Sequence, residues 1–124
     1  LANFIRDVSE DLDRGRVYLP INELAQFGVT RSDLEKRAIT PEIISALQFQ
    51  IDRVRDLQRQ AAPGIELLTS YARPCIRAAS ELYCGIVDEV ERIDYQIFTK
   101  RAATSTWRRF SVAFPLALQS LALR

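Results

Sequence analysis

The sequence has no histidine, and that absence removes much chemistry at once. Without imidazole there is no Ser-His or Cys-His nucleophile pair, no histidine general base and no common nitrogen-ligated transition-metal site. Catalysis, if present, falls to carboxylates with a hard cation, or to Lys, Arg and Tyr. Net charge is also nearly absent: 17 Lys and Arg stand against 16 Asp and Glu, giving +1. A nucleic-acid-binding domain shows a strong basic excess, so nucleic acid is not the expected partner. Only two cysteines occur, Cys75 and Cys84. Nine positions apart in one predicted helix they stand about 13 Å from each other, too far to bridge. They read as small buried apolar side chains in a reduced compartment.

No apolar run reaches the length needed to span a bilayer, and the first residues do not follow a basic-then-apolar signal pattern. A cytoplasmic location is the expectation. Methionine is absent as well, and the chain opens at Leu1 inside an uncapped amphipathic stripe. It therefore reads as part of a longer product.

What is present suits a folded, helix-rich unit: 48% hydrophobic and 27% charged residues, with four glycines and five prolines in 124 residues. Leu1, Ile5, Val8 and Leu12 keep helical spacing from Leu1 to about Arg14, with Gly15 as the stop. Val17-Tyr18-Leu19-Pro20 reads as an extended link, followed by a short helix over about Asn22 to Phe27. Thr30 with Asp33 offers a capping-box start for another short helix. Thr40-Pro41 predicts the start of a long helix carrying Ile44, Leu47, Ile51, Val54 and Leu57, stopped by Pro63-Gly64. A second long helix runs from Pro74 through Ile76, Leu82, Tyr83, Ile86, Val90 and Ile93 to Asp94-Tyr95. A last helix opens near Ser105, with Trp107, Phe110, Phe114, Leu118 and Leu121 as its stripe and Pro115 as a bend. No segment alternates with period two, so the fold class is all-α.

Asn3, Asp7 and Asp11 follow at steps of four, each rotated only about 40° from the last, so all three project from one side of the first helix. Two like charges one turn apart are mildly destabilising unless a cation neutralises them. Mg²⁺ suits such a place, because it takes oxygen ligands, keeps several waters and is commonly held by one or two carboxylates plus phosphate oxygens. Arg6, Glu10, Asp13 and Arg14 lie close by, and the same spacing also describes an ordinary solvated charged face. Spacing alone leaves both readings open.

The longer string decides more. Asn3-Phe4-Ile5-Arg6-Asp7-Val8-Ser9-Glu10-Asp11, followed by Arg14-Gly15-Arg16-Val17-Tyr18-Leu19-Pro20, resembles the second aspartate-rich motif of the squalene and phytoene synthase family. Asn22-Glu23-Leu24 and Gly28 resemble the phytoene synthases within it. Further likeness appears at Arg77-Ala78-Ala79, Leu82-Tyr83, Ile86 to Val90 and Tyr95 to Arg101. The resemblance covers almost the whole chain, residues 1–124, as the C-terminal portion of such a domain.

It implies a helical isoprenoid-synthase-type fold in which two aspartate-rich motifs hold Mg²⁺, or Mn²⁺ in its place, and the diphosphates of two prenyl substrates. By resemblance Asp7 and Asp11 are the metal carboxylates and catalytic groups. Asn3 stands beside them, Arg6 contacts diphosphate and Tyr83 lines the cavity. Lys100 falls where the family more often has arginine, which keeps a cation but loses the planar fork, so Arg101 is expected to share phosphate contact. The family's first motif is expected before Leu1, so this chain would hold half of the site and need an N-terminal half or another chain. The implied reaction is head-to-head coupling of two geranylgeranyl diphosphates through a cyclopropylcarbinyl diphosphate. The alternatives are a non-catalytic helical subunit of the same fold, or a squalene or dehydrosqualene synthase using farnesyl diphosphate. Arg101, Arg108 and Arg109 read first as solvated charges and second as peripheral contacts to anionic lipid.

Overall fold

The computed structural model describes residues 1–103 and positions 111, 112, 114, 115 and 118. The described residues contain helices and no strand: α1 (Ala2–Arg6), α2 (Val8–Asp13), α3 (Ile21–Gln26), α4 (Arg31–Glu35), α5 (Pro41–Ala61), a 3-10 segment (Ala62–Leu67), α6 (Arg73–Cys84) and α7 (Ile86–Arg92). No helix among them is long and apolar enough to cross a membrane.

Local chemistry sets most boundaries. At α5 the Thr40 hydroxyl accepts from the Ile43 N–H at 3.3 Å and Pro41 occupies the first turn, where its missing N–H costs nothing. At α4 the capping box forms in full, with Asp33 N–H donating to the Thr30 hydroxyl and the Thr30 N–H donating to the Asp33 carboxylate. Gly15, at φ 69°, ends α2 in the left-handed region, and the following Arg16 N–H closes back on the Asp11 carbonyl at 2.8 Å. Asp94 and Tyr95 end α7 the same way at φ 52° and 57°, with the Tyr95 N–H on the Val90 carbonyl.

Two expected helices are each divided. The first breaks at Asp7 (φ −98°, ψ 15°), although Asp7 N–H still donates to Asn3 and Asp11 N–H to Asp7, both at 2.8 Å. The result is a kinked rod rather than two separated elements. The helix expected from Pro74 to Ile93 divides at Gly85 (ψ −9°), where the Asp88 N–H bonds the Gly85 carbonyl three residues back.

The rod packs on α5, α6 and α7, and α5 also supports α3. Ile5, Ile51 and Val90, from α1, α5 and α7, are fully buried at the centre, with Leu24, Val29 and Leu34 from the connectors completing the core. The buried face of α5 runs through Ile43, Ala46, Leu47, Gln50, Ile51 and Val54; Ile44 is only half-buried and Leu57 is exposed. The stripe is rotated from the expected one because Gln50 belongs to it: its amide donates to Glu23 at 2.6 Å, satisfying a polar group inside the core. α6 behaves differently. Pro74 is its one buried residue, and Ile76 and Tyr83 of its apolar stripe are exposed. Cys75 is exposed and Cys84 half-buried, both free thiols, which corrects the expectation of two buried side chains. Phe114 and Leu118 are helical and more than half exposed, whereas Ser105, Trp107, Phe110, Leu121, Arg108 and Arg109 lie outside the described residues.

Candidate functional site

The kink at Asp7 is where the charged side chains meet. Arg6 Nε donates to Asp7 Oδ1 at 2.6 Å and Nη2 to Oδ2 at 2.7 Å, a two-pronged pair about a fifth exposed on each side. Neighbours in sequence do not face each other on a regular helix. The pairing coincides with the departure of Asp7 from helical geometry, which turns its carboxylate back towards Arg6.

The segment after α7 crosses the same junction. Ser9 Oγ donates to the Phe98 carbonyl at 3.5 Å, and Arg101 stands 3.2 Å from Glu10 and 4.0 Å from Asp7. Arg6, Tyr83 and Arg101 then line one cavity of about 520 Å³, together with Leu82, Ile86, Ala102 and Ala103. An adjoining space of about 180 Å³ is lined by Arg6, Ser9, Glu10, Lys100 and Arg101 among others. Arg6 and Arg101 border both. Two guanidinium groups and a phenol beside apolar walls form an anion-receiving end on an apolar cavity.

Asn3 is exposed and Tyr83 is 61% exposed at the cavity edge. Asp7 lies behind Arg6 and Arg101 rather than in the cavity lining. Asp11 is buried, 8% exposed, and makes no side-chain hydrogen bond or ion pair with another described residue. No fully buried polar side-chain atom lacks a partner among the described residues, so the Asp11 oxygens keep a solvent-facing edge. No three His, Cys, Asp or Glu side chains converge among the described residues. A cation at Asp7 and Asp11 would therefore draw its remaining oxygens from water and phosphate, the manner in which Mg²⁺ is usually held.

The Arg6 hydrogen bonds hold the Asp7 carboxyl below its ordinary value of 3.8; burial opposes this, and the charges of Arg6, Arg101 and Arg14 add to it. The same hydrogen bond with Asp7 raises Arg6, so both partners report one interaction. A depressed carboxylate contributes stability that is complete above its unfolded value and is lost as pH falls through the folded one. Unfolding free energy measured between about pH 5 and pH 2 should accordingly fall more steeply for the wild type than for Asp7→Asn. Parallel acid profiles would mean that the pair does not form in solution.

Glu10 and Ser9 were not singled out as site residues from the sequence. Glu10 holds Arg101, and Ser9 joins the crossing segment and also accepts from Arg37 at 2.8 Å. Their place inside the acidic motif was the available signal. Asp13, by contrast, pairs with Arg37 on an exposed face away from the cavity lining.

Comparison with known proteins agrees with the motif. The chain is 43% identical over 118 residues to the 15-cis-phytoene synthase of Synechococcus elongatus, covering 95% of this chain and 38% of that protein. It is 39% identical over 117 residues to a phytoene synthase of Arthrospira platensis, covering 94% and 38%. With the chloroplastic phytoene synthase of Narcissus pseudonarcissus it shares 42% over 117 residues, covering 94% and 27%. The chain thus spans well under half the length of these relatives. The sequence model of the family described as squalene/phytoene synthase matches residues 1–108, a span containing Asn3, Arg6, Asp7, Asp11, Tyr83, Lys100 and Arg101. On that match, and on an all-helical fold carrying the motif, this chain belongs to the squalene/phytoene synthase family.

Proposed function

We propose that this chain supplies one diphosphate-handling face of a phytoene synthase, a prenyltransferase that couples two geranylgeranyl diphosphates head to head through a cyclopropylcarbinyl diphosphate. The observation that carries the proposal is the gathering of Arg6, Tyr83 and Arg101 on one cavity, with Asp7 of the aspartate-rich rod paired to Arg6 and approached by Arg101. The opposing motif belongs to an N-terminal half or another chain, and the 124 residues alone are expected to be inactive.

Asp7 and Asp11 would hold Mg²⁺ or Mn²⁺, with Asn3 one turn before Asp7. When bound, the cation neutralises charge building on the departing diphosphate. Arg6 and Arg101, both on the cavity lining, would turn onto the same oxygens and meet the developing charge with cationic donors rather than with reorganising water. Lys100 adds a mobile cation at the adjoining space. Leu82, Ile86 and Ala102 offer an apolar wall for the prenyl tail and limit water around a carbocation. Tyr83 lines the same cavity at its exposed edge.

The test is product analysis of the full natural protein with Mg²⁺ and either geranylgeranyl or farnesyl diphosphate. Phytoene with release of diphosphate, abolished by EDTA, is the expected outcome. Coupling of farnesyl diphosphate alone would reassign the substrate. No product from either, with stable association to an active homologue, would make the chain a helical subunit.

A further inference from the structure

We propose that the Arg6–Asp7 pair is a latch that makes metal and diphosphate binding depend on each other. The inference rests on the reading of Asp7 as a metal carboxylate and concerns how that site is kept before its ligands arrive. Both Asp7 oxygens are engaged by Arg6, one at 2.6 Å and the other at 2.7 Å. A cation that takes either oxygen displaces a charge-assisted hydrogen bond. Arg6 in turn borders both cavities, but two of its donors are committed to Asp7. A diphosphate that takes the Arg6 fork must compete with a carboxylate already seated in it.

The two motif carboxylates are therefore unequal. Asp11 makes no ion pair with another described residue, whereas Asp7 is closed by Arg6 and approached by Arg101 at 4.0 Å. A cation meets Asp11 first and gains Asp7 only when Arg6 leaves. Arg6 leaves at least cost when a diphosphate is there to receive it. Because the partners are adjacent in sequence, the exchange needs side-chain rotation and no displacement of a helix. Metal alone and diphosphate alone bind weakly, and each relieves the other's competitor, which is a reciprocal coupling between two ligands. In the unliganded state the latch keeps one carboxylate and one guanidinium at the cavity end mutually neutralised.

The experiment uses the full natural protein and binding readouts. Mn²⁺ affinity, measured by electron paramagnetic resonance without diphosphate, is compared among wild type, Arg6→Gln and Arg14→Gln. Arg14 acts on Asp7 only through its charge, so it is the control for lost positive charge. Arg6→Gln should bind Mn²⁺ about tenfold more tightly than wild type, and Arg14→Gln within about threefold. Inorganic pyrophosphate binding, measured calorimetrically in EDTA, is compared among wild type, Asp7→Asn and Asp11→Asn. Asp7→Asn frees the Arg6 fork and should strengthen binding about tenfold, whereas Asp11→Asn, losing the same charge without releasing Arg6, should change it by no more than about threefold. Equal gains for Arg6→Gln and Arg14→Gln, or for Asp7→Asn and Asp11→Asn, would overturn the latch. The double variant Asp7→Asn/Asp11→Asn is measured with Mn²⁺ in the same way; unchanged binding there would overturn the metal reading instead, and the metal-free pyrophosphate comparison separates the two failures.

Discussion

Asp7→Asn in the full natural protein should lower turnover of geranylgeranyl diphosphate by at least about a hundredfold while leaving the folded structure in place. Asparagine keeps the shape of the side chain, so the packing of the rod should persist although the Arg6 ion pair is lost. On the proposed reading it removes one of the two negative charges that would hold the cation, and so would weaken metal assistance where the leaving diphosphate accumulates charge. That interaction grows as the carbon–oxygen bond breaks, so kcat should fall much more than substrate affinity. Excess Mg²⁺ should recover part of the loss. Asp13→Asn is the matched control, because Asp13 pairs with Arg37 on an exposed face and does not line the cavity. Steady-state kinetics of the two variants measure the difference, and equal near-normal turnover would reduce the motif to surface charge.

Ile51→Ala should cost about 2–5 kcal/mol of stability, a large fraction of the roughly 5–15 kcal/mol a domain usually has. Ile51 is fully buried at the middle of α5, where the rod, α5 and α7 meet. Removing its branches loses transfer free energy and leaves a cavity that close-packed neighbours fill only in part. Leu57, near the C-terminal end of α5 and 52% exposed, provides the comparison: Leu57→Ala should change stability by no more than about 0.5 kcal/mol. Denaturant midpoints of both variants in the full protein give the answer. Similar midpoints would place the core elsewhere.

These two residues also show what could be read from the sequence. The Thr40-Pro41 start, the Thr30–Asp33 capping box and the Gly15 stop are local devices, set by side chains within a few positions, and the structure forms each of them. The all-α class follows from the same local patterns. The divisions at Asp7 and Gly85 depend on which neighbour competes for the backbone or side chain, and apolar periodicity does not register that competition. Gln50 illustrates the limit: it lies on the buried face only because Glu23, 27 positions earlier, accepts its amide, and Arg53 pairs with the same carboxylate. At the site, the motif supplied the residue set, whereas the adjacency of Arg6 to both Asp7 oxygens and the approach of Arg101 over Glu10 come from tertiary placement. The exposure of Cys75 was likewise illegible, since the apolar face of α6 is left uncovered by the described residues.

The most direct measurement is a crystal structure of the full natural protein with Mn²⁺ and a non-ionisable geranylgeranyl diphosphate analogue, located by anomalous scattering from the metal. The account predicts metal contacts to Asp7 and Asp11, with Arg6 released from Asp7 and turned onto the diphosphate. Metal bound away from both carboxylates, with the Arg6–Asp7 pair still closed beside a bound analogue, would contradict it.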